Sequence, residues 1–137
     1  MTVIDASNLI LGRFCSVVAK RALLGEKIDI VNCENAIITG DKVIVYKKYK
    51  HKDDMGNPYK GPFLSKMPDR FVRRIVRGML PYNQYKGKSA FKRVMCYIGI
   101  PDELKNQKLT TIERANITKS KTFKYITVGE LCKKLKK

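Results

Sequence analysis

Apolar positions in the first forty residues alternate between the period of a strand and the period of a helix. A β-branched run over residues 2–5 is followed by apolar residues at helical spacing, namely Leu11, Phe14, Cys15, Val18 and Ala22. Gly25 ends that pattern, and residues 27–32 alternate again as a second strand. Two strands joined by a helix form a βαβ unit with parallel strands, so the pattern predicts an α/β layered fold.

The pattern after Gly40 is more varied. Residues 41–50 mix β-branched residues with lysines and fit either a helix or a third strand, of which a helix is favoured. Residues 51–66 are rich in glycine and proline and predict a loop long enough to suggest function, and residues 82–88 predict a second basic loop. A short helix over 89–93 and a buried strand over 94–98 follow.

The chain after residue 101 gives one clear signal near its end. Thr127 and Glu130 form a capping box ahead of apolar residues at helical spacing, namely Val128, Leu131, Cys132 and Leu135. This pattern predicts a C-terminal amphipathic helix that docks on the body. With 137 residues, we expect one domain over 1–137.

One predicted helix, opened by Pro68 and ended by Gly78 and Pro81, carries a strip of arginines. Arg70, Arg73, Arg74 and Arg77 recur at i, i+3, i+4 and i+7, and the opposite face is apolar. Guanidinium groups match phosphate oxygens, and Asp69 is the only acid in the segment, so the strip favours a polyanion. The alternative is a solvated face, the usual fate of a run of charges.

Charge is concentrated in the middle of the chain. There are 29 Lys and Arg against 12 Asp and Glu, a net charge of +17. Residues 1–45 are neutral overall, whereas residues 46–93 hold fourteen basic and three acidic groups. This distribution indicates a neutral scaffold that presents a nucleic-acid-binding region over about 46–93.

Aromatic rings are interleaved with lysines in the first predicted loop, which contains Lys52, Tyr59, Lys60, Phe63 and Lys66. Such rings stack on unpaired bases while the lysines contact phosphates. Equally, Tyr59 and Phe63 could simply hold the loop to the core. The sequence leaves both interpretations open.

Other chemistry is sparse. The four cysteines are scattered without a C-x-x-C pair and are expected to be buried thiols, and a single histidine, His51, cannot build a zinc site with them. Phosphate-binding glycine motifs are missing, and Asp5 and Glu34 at the expected strand ends fit turn roles better than catalysis. We therefore expect no enzymatic activity, cofactor or metal. Without a signal sequence or membrane span, a cytoplasmic protein is expected.

Several motifs resemble those of the universal large-subunit ribosomal protein L-thirteen family. They are Asp5-Ala6, Leu11-Gly12-Arg13 with Ser16, Ile30-Val31-Asn32-Cys33-Glu34, Thr39-Gly40-Asp41-Lys42, Arg77-Gly78-Met79-Leu80-Pro81, Gly87-Lys88 and Tyr97-Ile98-Gly99. Met67-Pro68-Asp69-Arg70 and Lys92-Arg93 are similar to its archaeal and eukaryotic branch. Cys33 stands where the family commonly has alanine, and Lys88 where arginine is usual, which weakens bidentate phosphate binding at that position.

This resemblance, which covers residues 3–101, implies a three-layer α/β/α domain with a central, mainly parallel sheet. It also implies binding to large-subunit ribosomal RNA beside other ribosomal proteins, support of subunit assembly, and no catalysis. The resemblance is loose over 102–137, so the role of that tail stays open. Alternatives are a regulatory RNA-binding protein acting away from the ribosome and, less well supported, a small nucleotide-dependent enzyme.

The resulting candidates for RNA contact are fourteen basic residues: Arg13, Lys47, Lys48, Lys52, Lys60, Lys66, Arg70, Arg73, Arg74, Arg77, Lys86, Lys88, Lys92 and Arg93. The four arginines of the helix form the rigid part of this set. On this basis Arg73→Glu combined with Arg74→Glu is expected to abolish ribosomal RNA binding and leave the fold intact.

Overall fold

The computed structural model describes residues 1–137 as six strands and five α-helices. They follow one another as β1 (Thr2–Asp5), α1 (Leu11–Leu23), β2 (Ile28–Val31), β3 (Ile37–Thr39), α2 (Lys42–Asp54), α3 (Pro68–Met79), α4 (Tyr85–Lys92), β4 (Val94–Cys96), β5 (Leu109–Thr110), β6 (Tyr125–Thr127) and α5 (Val128–Lys136). The main sheet has the order β4-β2-β1-β5, and all its strands run parallel. The α/β class with a mainly parallel sheet is confirmed.

The first βαβ unit forms as predicted. Ile4 of β1 lies beside Ile30 of β2 in parallel register, and α1 connects the two strands. One face of α1 carries the predicted apolar residues, of which Phe14, Cys15 and Val18 are fully buried. Because this unit is well packed, it supplies a rigid and nearly neutral base for the more basic part of the chain.

The two faces of the sheet are covered very differently. Ile4, Ile30 and Val94 belong to one large core cluster that includes residues of α1, α3, α4 and α5. On the opposite face Val3 and Val31 pack only against Leu104, in the 3₁₀ turn Asp102–Leu104, and its neighbours. The second helical layer is therefore reduced to one short turn, and the helices with the basic residues lie on the well-packed face.

Several element boundaries differ from the predictions. The segment after Gly40 is a helix, as favoured, but α2 continues to Asp54, which shortens the loop that follows. The predicted basic loop over 82–88 is wrong in its second half, because α4 begins at Tyr85. The buried strand ends at Cys96, two residues earlier than expected.

A second, two-stranded sheet was not predicted. β3 and β6 pair in antiparallel register, with Ile38 opposite Ile126. The predicted C-terminal helix follows at once, and Thr127 Oγ1 accepts a hydrogen bond from the Glu130 N–H at 3.2 Å. The Glu130 carboxylate does not complete the capping box, because it pairs with Lys42 Nζ at 3.4 Å and Lys134 Nζ at 3.7 Å. The pairing brings the tail back onto the core.

All four cysteines are buried free thiols, as expected from their spacing. Burial raises the pKa of Cys132 to about 11, so its thiol stays protonated at neutral pH. None of the helices combines the length and the apolar character that a membrane crossing requires.

Candidate nucleic-acid interface

Helix α3 presents two of its four arginines freely. Pro68 occupies its first turn, where a missing N–H costs nothing, and Phe71, Val72 and Val76 bury the opposite face. Arg70 and Arg74 are exposed, and neither makes a hydrogen bond or an ion pair within the protein. Both are positioned by a packed helix and retain every N–H for an external acceptor.

Arg77, one turn further on, is held in a defined plane. Its guanidinium carbon lies 4.1 Å from the centroid of the Tyr82 ring, which is a cation–π contact. Tyr82 in turn meets Phe91 edge to face, with ring centroids 5.5 Å apart. A guanidinium stacked in this way keeps the N–H groups at its edge available while losing little conformational entropy on binding.

Arg73 does not project outward, and the prediction that all four guanidiniums do so is wrong. Arg73 Nε donates to the carbonyl oxygen of Val94 at 3.0 Å, and the guanidinium lies 4.1 Å from the centroid of the Phe91 ring. Position 73 borders the apolar arc of α3, so its side chain reaches β4, the edge strand of the main sheet. Arg73 therefore satisfies a carbonyl that no neighbouring strand can pair.

Two more of the candidate cations also have partners inside the protein. Arg93 Nη1 donates to the carbonyl oxygen of Ala22, near the C-terminus of α1, at 3.0 Å. Lys66 Nζ pairs with Asp53 Oδ2 at 3.0 Å and ties the end of the loop to α2. These two groups are therefore not free of partners in the fold, because a carbonyl and a carboxylate from other elements contact them.

The other candidates are free of acidic partners. Among the candidates, only Lys66 forms an ion pair. The other ion pairs of the protein use lysines that are not candidates: Lys42, Lys50, Lys105, Lys119, Lys124 and Lys134. None of the remaining candidates pairs with a carboxylate, and all are exposed except Arg77, which is half-exposed. They are Arg13, Lys47, Lys48, Lys52, Lys60, Arg70, Arg74, Arg77, Lys86, Lys88 and Lys92. The acids of the chain thus leave these cations uncompensated.

Three clefts along α3 share lining residues and form one continuous surface, here called the α3 groove. The first, of about 510 Å³, is lined by Arg74, Arg77 and Tyr82. The second, of about 300 Å³, lies between α2, the 55–67 loop and α3, and shares Arg74 with the first. The third, of about 520 Å³, contains Arg13 and shares Tyr49 with the second. Cations from α1, α2 and α3 therefore line a single groove, and Arg70 flanks it one turn before Arg74 on the same face of α3.

The loop between α2 and α3 is organised by its own polar groups. Asn57 Oδ1 accepts from the Tyr59 N–H at 2.6 Å, and the Gly61 N–H donates to the Asn57 carbonyl oxygen at 2.7 Å. Tyr59 is 88% exposed and Phe63 is 65% exposed, so neither ring anchors the loop in the core. The half-buried Leu64 and the Lys66–Asp53 pair do so instead.

The acidic residues at the strand ends have the turn roles expected of them. Asp5 Oδ1 accepts from the Ser7 N–H and from Asn32 Nδ2, each at 3.0 Å. Burial raises the pKa of Asp5, but these hydrogen bonds outweigh it and leave the pKa below its ordinary value. Both carboxylate oxygens of Glu34 accept from the Gly99 N–H, at 3.2 and 3.1 Å. Each side chain fixes a backbone turn.

Sequence reasoning missed the aromatic residues that support the groove. Tyr82 orients Arg77, and Tyr49 lies beneath Lys52, whose Nζ is 5.2 Å from the centre of the ring. Tyr49 lies three residues before Lys52 on the same helix face, and this i, i+3 spacing was the available signal. Tyr82 follows the end of α3, and no local pattern links it to Arg77.

The chain matches a family model described as Ribosomal protein L13 over residues 1–103. Its relatives include the large ribosomal subunit protein uL13 of Archaeoglobus fulgidus, which is 47% identical over 98% of this chain and 86% of its own length. The protein of the same name from Methanococcoides burtonii is 44% identical over 98% of this chain and 97% of its own. The protein of the same name from Methanocaldococcus jannaschii is 47% identical over 98% of this chain and 97% of its own length. The similarity extends into the tail that the motifs left open, and the chain belongs to the ribosomal protein L13 family.

Proposed function

We propose that this protein is a structural constituent of the large ribosomal subunit and binds ribosomal RNA through the α3 groove. The observation that carries the proposal is the absence of acidic partners around the exposed cations of one continuous surface, while the carboxylates pair with other lysines. Its relatives are named as large-subunit proteins, which supports the same role. The role is architectural rather than catalytic and is performed on the ribosome, beside other ribosomal proteins.

Binding follows from neutralisation of phosphates and release of their counterions. Each phosphate contact adds about −0.7 to −0.9 to the slope of log affinity against log salt. Arg70, Arg74 and Arg77 supply the rigid contacts, since they project from a packed helix. Contacts of this kind go to the RNA backbone, so the shape of the folded RNA rather than its sequence sets the specificity.

The proposed set of RNA-contacting residues is narrower than the set predicted from the sequence. Arg73, Arg93 and Lys66 act within the protein. The expected effect of Arg73→Glu with Arg74→Glu therefore changes, because the first substitution removes a hydrogen bond to the sheet edge and places a carboxylate beside a carbonyl oxygen. That double variant does not separate RNA binding from folding.

The test combines Arg70→Glu with Arg74→Glu, which leaves the internal contacts untouched. We expect binding to large-subunit ribosomal RNA to weaken by at least tenfold at moderate salt, and the salt slope to fall by about 1.5. Lys108→Glu with Lys121→Glu is the matched control: it makes the same charge change at exposed positions outside the groove. Filter binding across a salt series measures both.

Incorporation into particles is the second measurement. The native protein is expected to sediment with large subunits, and the Arg70→Glu, Arg74→Glu variant to remain in the light fractions. If RNA binding by the control variant is weakened equally, only net charge matters, and the proposal that RNA binds through the α3 groove is contradicted. A native protein that binds RNA but never enters subunits would contradict the ribosomal role.

A further inference from the structure

The cleft between α2, the 55–67 loop and α3 is more than a cationic surface. We propose that it receives one unpaired nucleobase, extruded from the RNA, with Phe63 as the stacking platform. This inference rests on the proposed function, because it names what part of the RNA enters the groove at this point. The cleft differs from its two neighbours in having an aromatic ring at an exposed edge.

The floor of the cleft is rigid and aromatic. Tyr49 and Phe71 lie with ring centroids 5.2 Å apart and ring planes tilted by 59°, and Phe71 is buried in the core. Leu64 packs against the same cluster and closes one side. Phe63 and Met55 are exposed at the opening, so apolar surface continues from the floor to the solvent. A planar, weakly polar group is complementary to such a cavity.

The rim of the cleft carries positive charge alone. Lys52 and Arg74 are among its lining residues, which include no carboxylate. The nearest acid in sequence, Asp53, is turned towards Lys66 at 3.0 Å. An apolar floor under two uncompensated cations fits a ligand that is planar at one end and anionic at the other. A nucleotide within a strand has this form, whereas a basic peptide segment would be repelled.

The size of the cleft limits what can enter. A cavity of about 300 Å³ is at the lower end of the range for ligand pockets, about 300–1,000 Å³. It accommodates one base and excludes the width of a duplex. The base must therefore be unstacked, and unpaired positions in loops and bulges of folded RNA provide such bases.

The loop that carries Phe63 is shaped before any RNA arrives. The Asn57–Gly61 turn closes it at one end, and the Lys66–Asp53 ion pair closes it at the other. The turn is tight: a Cβ at Gly61 would lie 2.6 Å from the Asn57 carbonyl oxygen. Phe63 is thus presented at a fixed place, which reduces the entropy cost of stacking.

Fluorescence provides a direct test, because the chain has no tryptophan. Phe63→Trp introduces a single indole at the mouth of the cleft. On addition of large-subunit ribosomal RNA we expect its emission to be quenched by stacking, whereas a perfectly paired RNA duplex leaves it unchanged at equal occupancy. Phe123→Trp, at a position 93% exposed outside the cleft, is the control and is expected to show no such difference.

Affinity provides the second test. Phe63→Leu keeps an apolar side chain but lacks the ring, and we expect about tenfold weaker binding with an unchanged salt slope. Phe123→Leu is expected to bind as the native protein does. If Phe63→Leu also binds normally, or Phe63→Trp is not quenched, the base site is wrong. If the Arg70→Glu, Arg74→Glu variant nevertheless binds RNA weakly, the proposed function still stands. If that variant also binds RNA as the native protein does, both the base site and the proposed function are wrong.

Discussion

At the scale of single residues, two adjacent arginines of α3 differ in whether they contact the rest of the protein. Arg73 donates to Val94 and stacks on Phe91, whereas Arg74 contacts no acceptor in the protein. The difference comes from one step of 100° around the helix, which turns Arg73 towards the open edge of β4. Identical side chains next to each other therefore differ in role: Arg73 contributes to stability, and Arg74 is free for the RNA contact that we propose.

Replacement of each arginine by alanine separates these properties. Arg73→Ala leaves the Val94 carbonyl without its donor and removes the stacking contact, so we expect the free energy of unfolding to fall by about 1–3 kcal/mol. Arg74→Ala is expected to change it by less than about 0.5 kcal/mol. Urea unfolding measures both, and equal stabilities of the two variants would contradict the structural role of Arg73.

Asp29 makes the fold sensitive to pH. It is only 4% exposed, and its Oδ1 has no hydrogen-bond partner. Burial raises its pKa, although Lys27 opposes the shift, so the folded state holds this proton to higher pH than the unfolded state does. The contribution of Asp29 to stability is therefore greatest at low pH and declines as pH rises above the unfolded pKa of about 3.9.

Asp29→Asn removes this titration. We expect the variant to be more stable than the native protein at pH 7 by about 1 kcal/mol, and the advantage to vanish below about pH 3. Urea unfolding of both proteins across the pH range gives the difference. An advantage that is the same at every pH would show that the carboxylate charge is not the cause.

At the scale of elements, local signals decided which parts could be predicted. The strands around α1, the Pro68 start of α3 and the Thr127 cap of α5 are encoded by neighbouring residues, and all were predicted. β3 and β6 have three residues each and pair across most of the chain, so neither shows a period of its own. The internal partners of Arg73 and Arg93 were not predicted, because the carbonyl groups that they contact belong to other elements.

The start of α4 depends on a close approach that periodicity does not reveal. Gly87 is buried where α4 crosses the turn after α3, and an added Cβ would overlap the carbonyl group of Pro81. This contact joins the start of α4 to the turn that carries Tyr82, whose ring lies under Arg77. Only the absence of a side chain at 87 permits the arrangement.

Gly87→Ala is expected to lower the free energy of unfolding by about 3 kcal/mol, because backbone on both sides must move. Gly78→Ala is the matched control. A Cβ there would meet nothing within 4 Å, and alanine is favoured in a helix, so stability should stay level or rise by up to about 1 kcal/mol. Thermal unfolding compares the two, and a harmless Gly87→Ala would show that the approach is not required.

At the scale of the whole molecule, the core depends on the tail. Ile126 of β6 and Val128, Leu131 and Leu135 of α5 are buried in the same cluster as the first strands. Removal of residues 125–137 uncovers this apolar surface and leaves β3 unpaired. The tail thus acts as part of the body rather than as an appendage.

A chain that ends at residue 124 is expected to lose cooperative thermal unfolding and to bind a hydrophobic dye, since the exposed core can no longer pack. Removal of Lys137 alone, which is exposed, is expected to change neither property. Circular dichroism and dye fluorescence distinguish the two chains. Cooperative unfolding of the shorter chain would contradict the structural role of the tail.

The β3–β6 pairing also determines when the chain can complete its folding during synthesis. β3 emerges early during synthesis, and its partner follows only after most of the chain has been translated. At roughly 5–20 residues per second, the nascent chain waits several seconds without this sheet. The second sheet therefore forms only after translation has passed residue 127, so prematurely terminated products are left open to proteases.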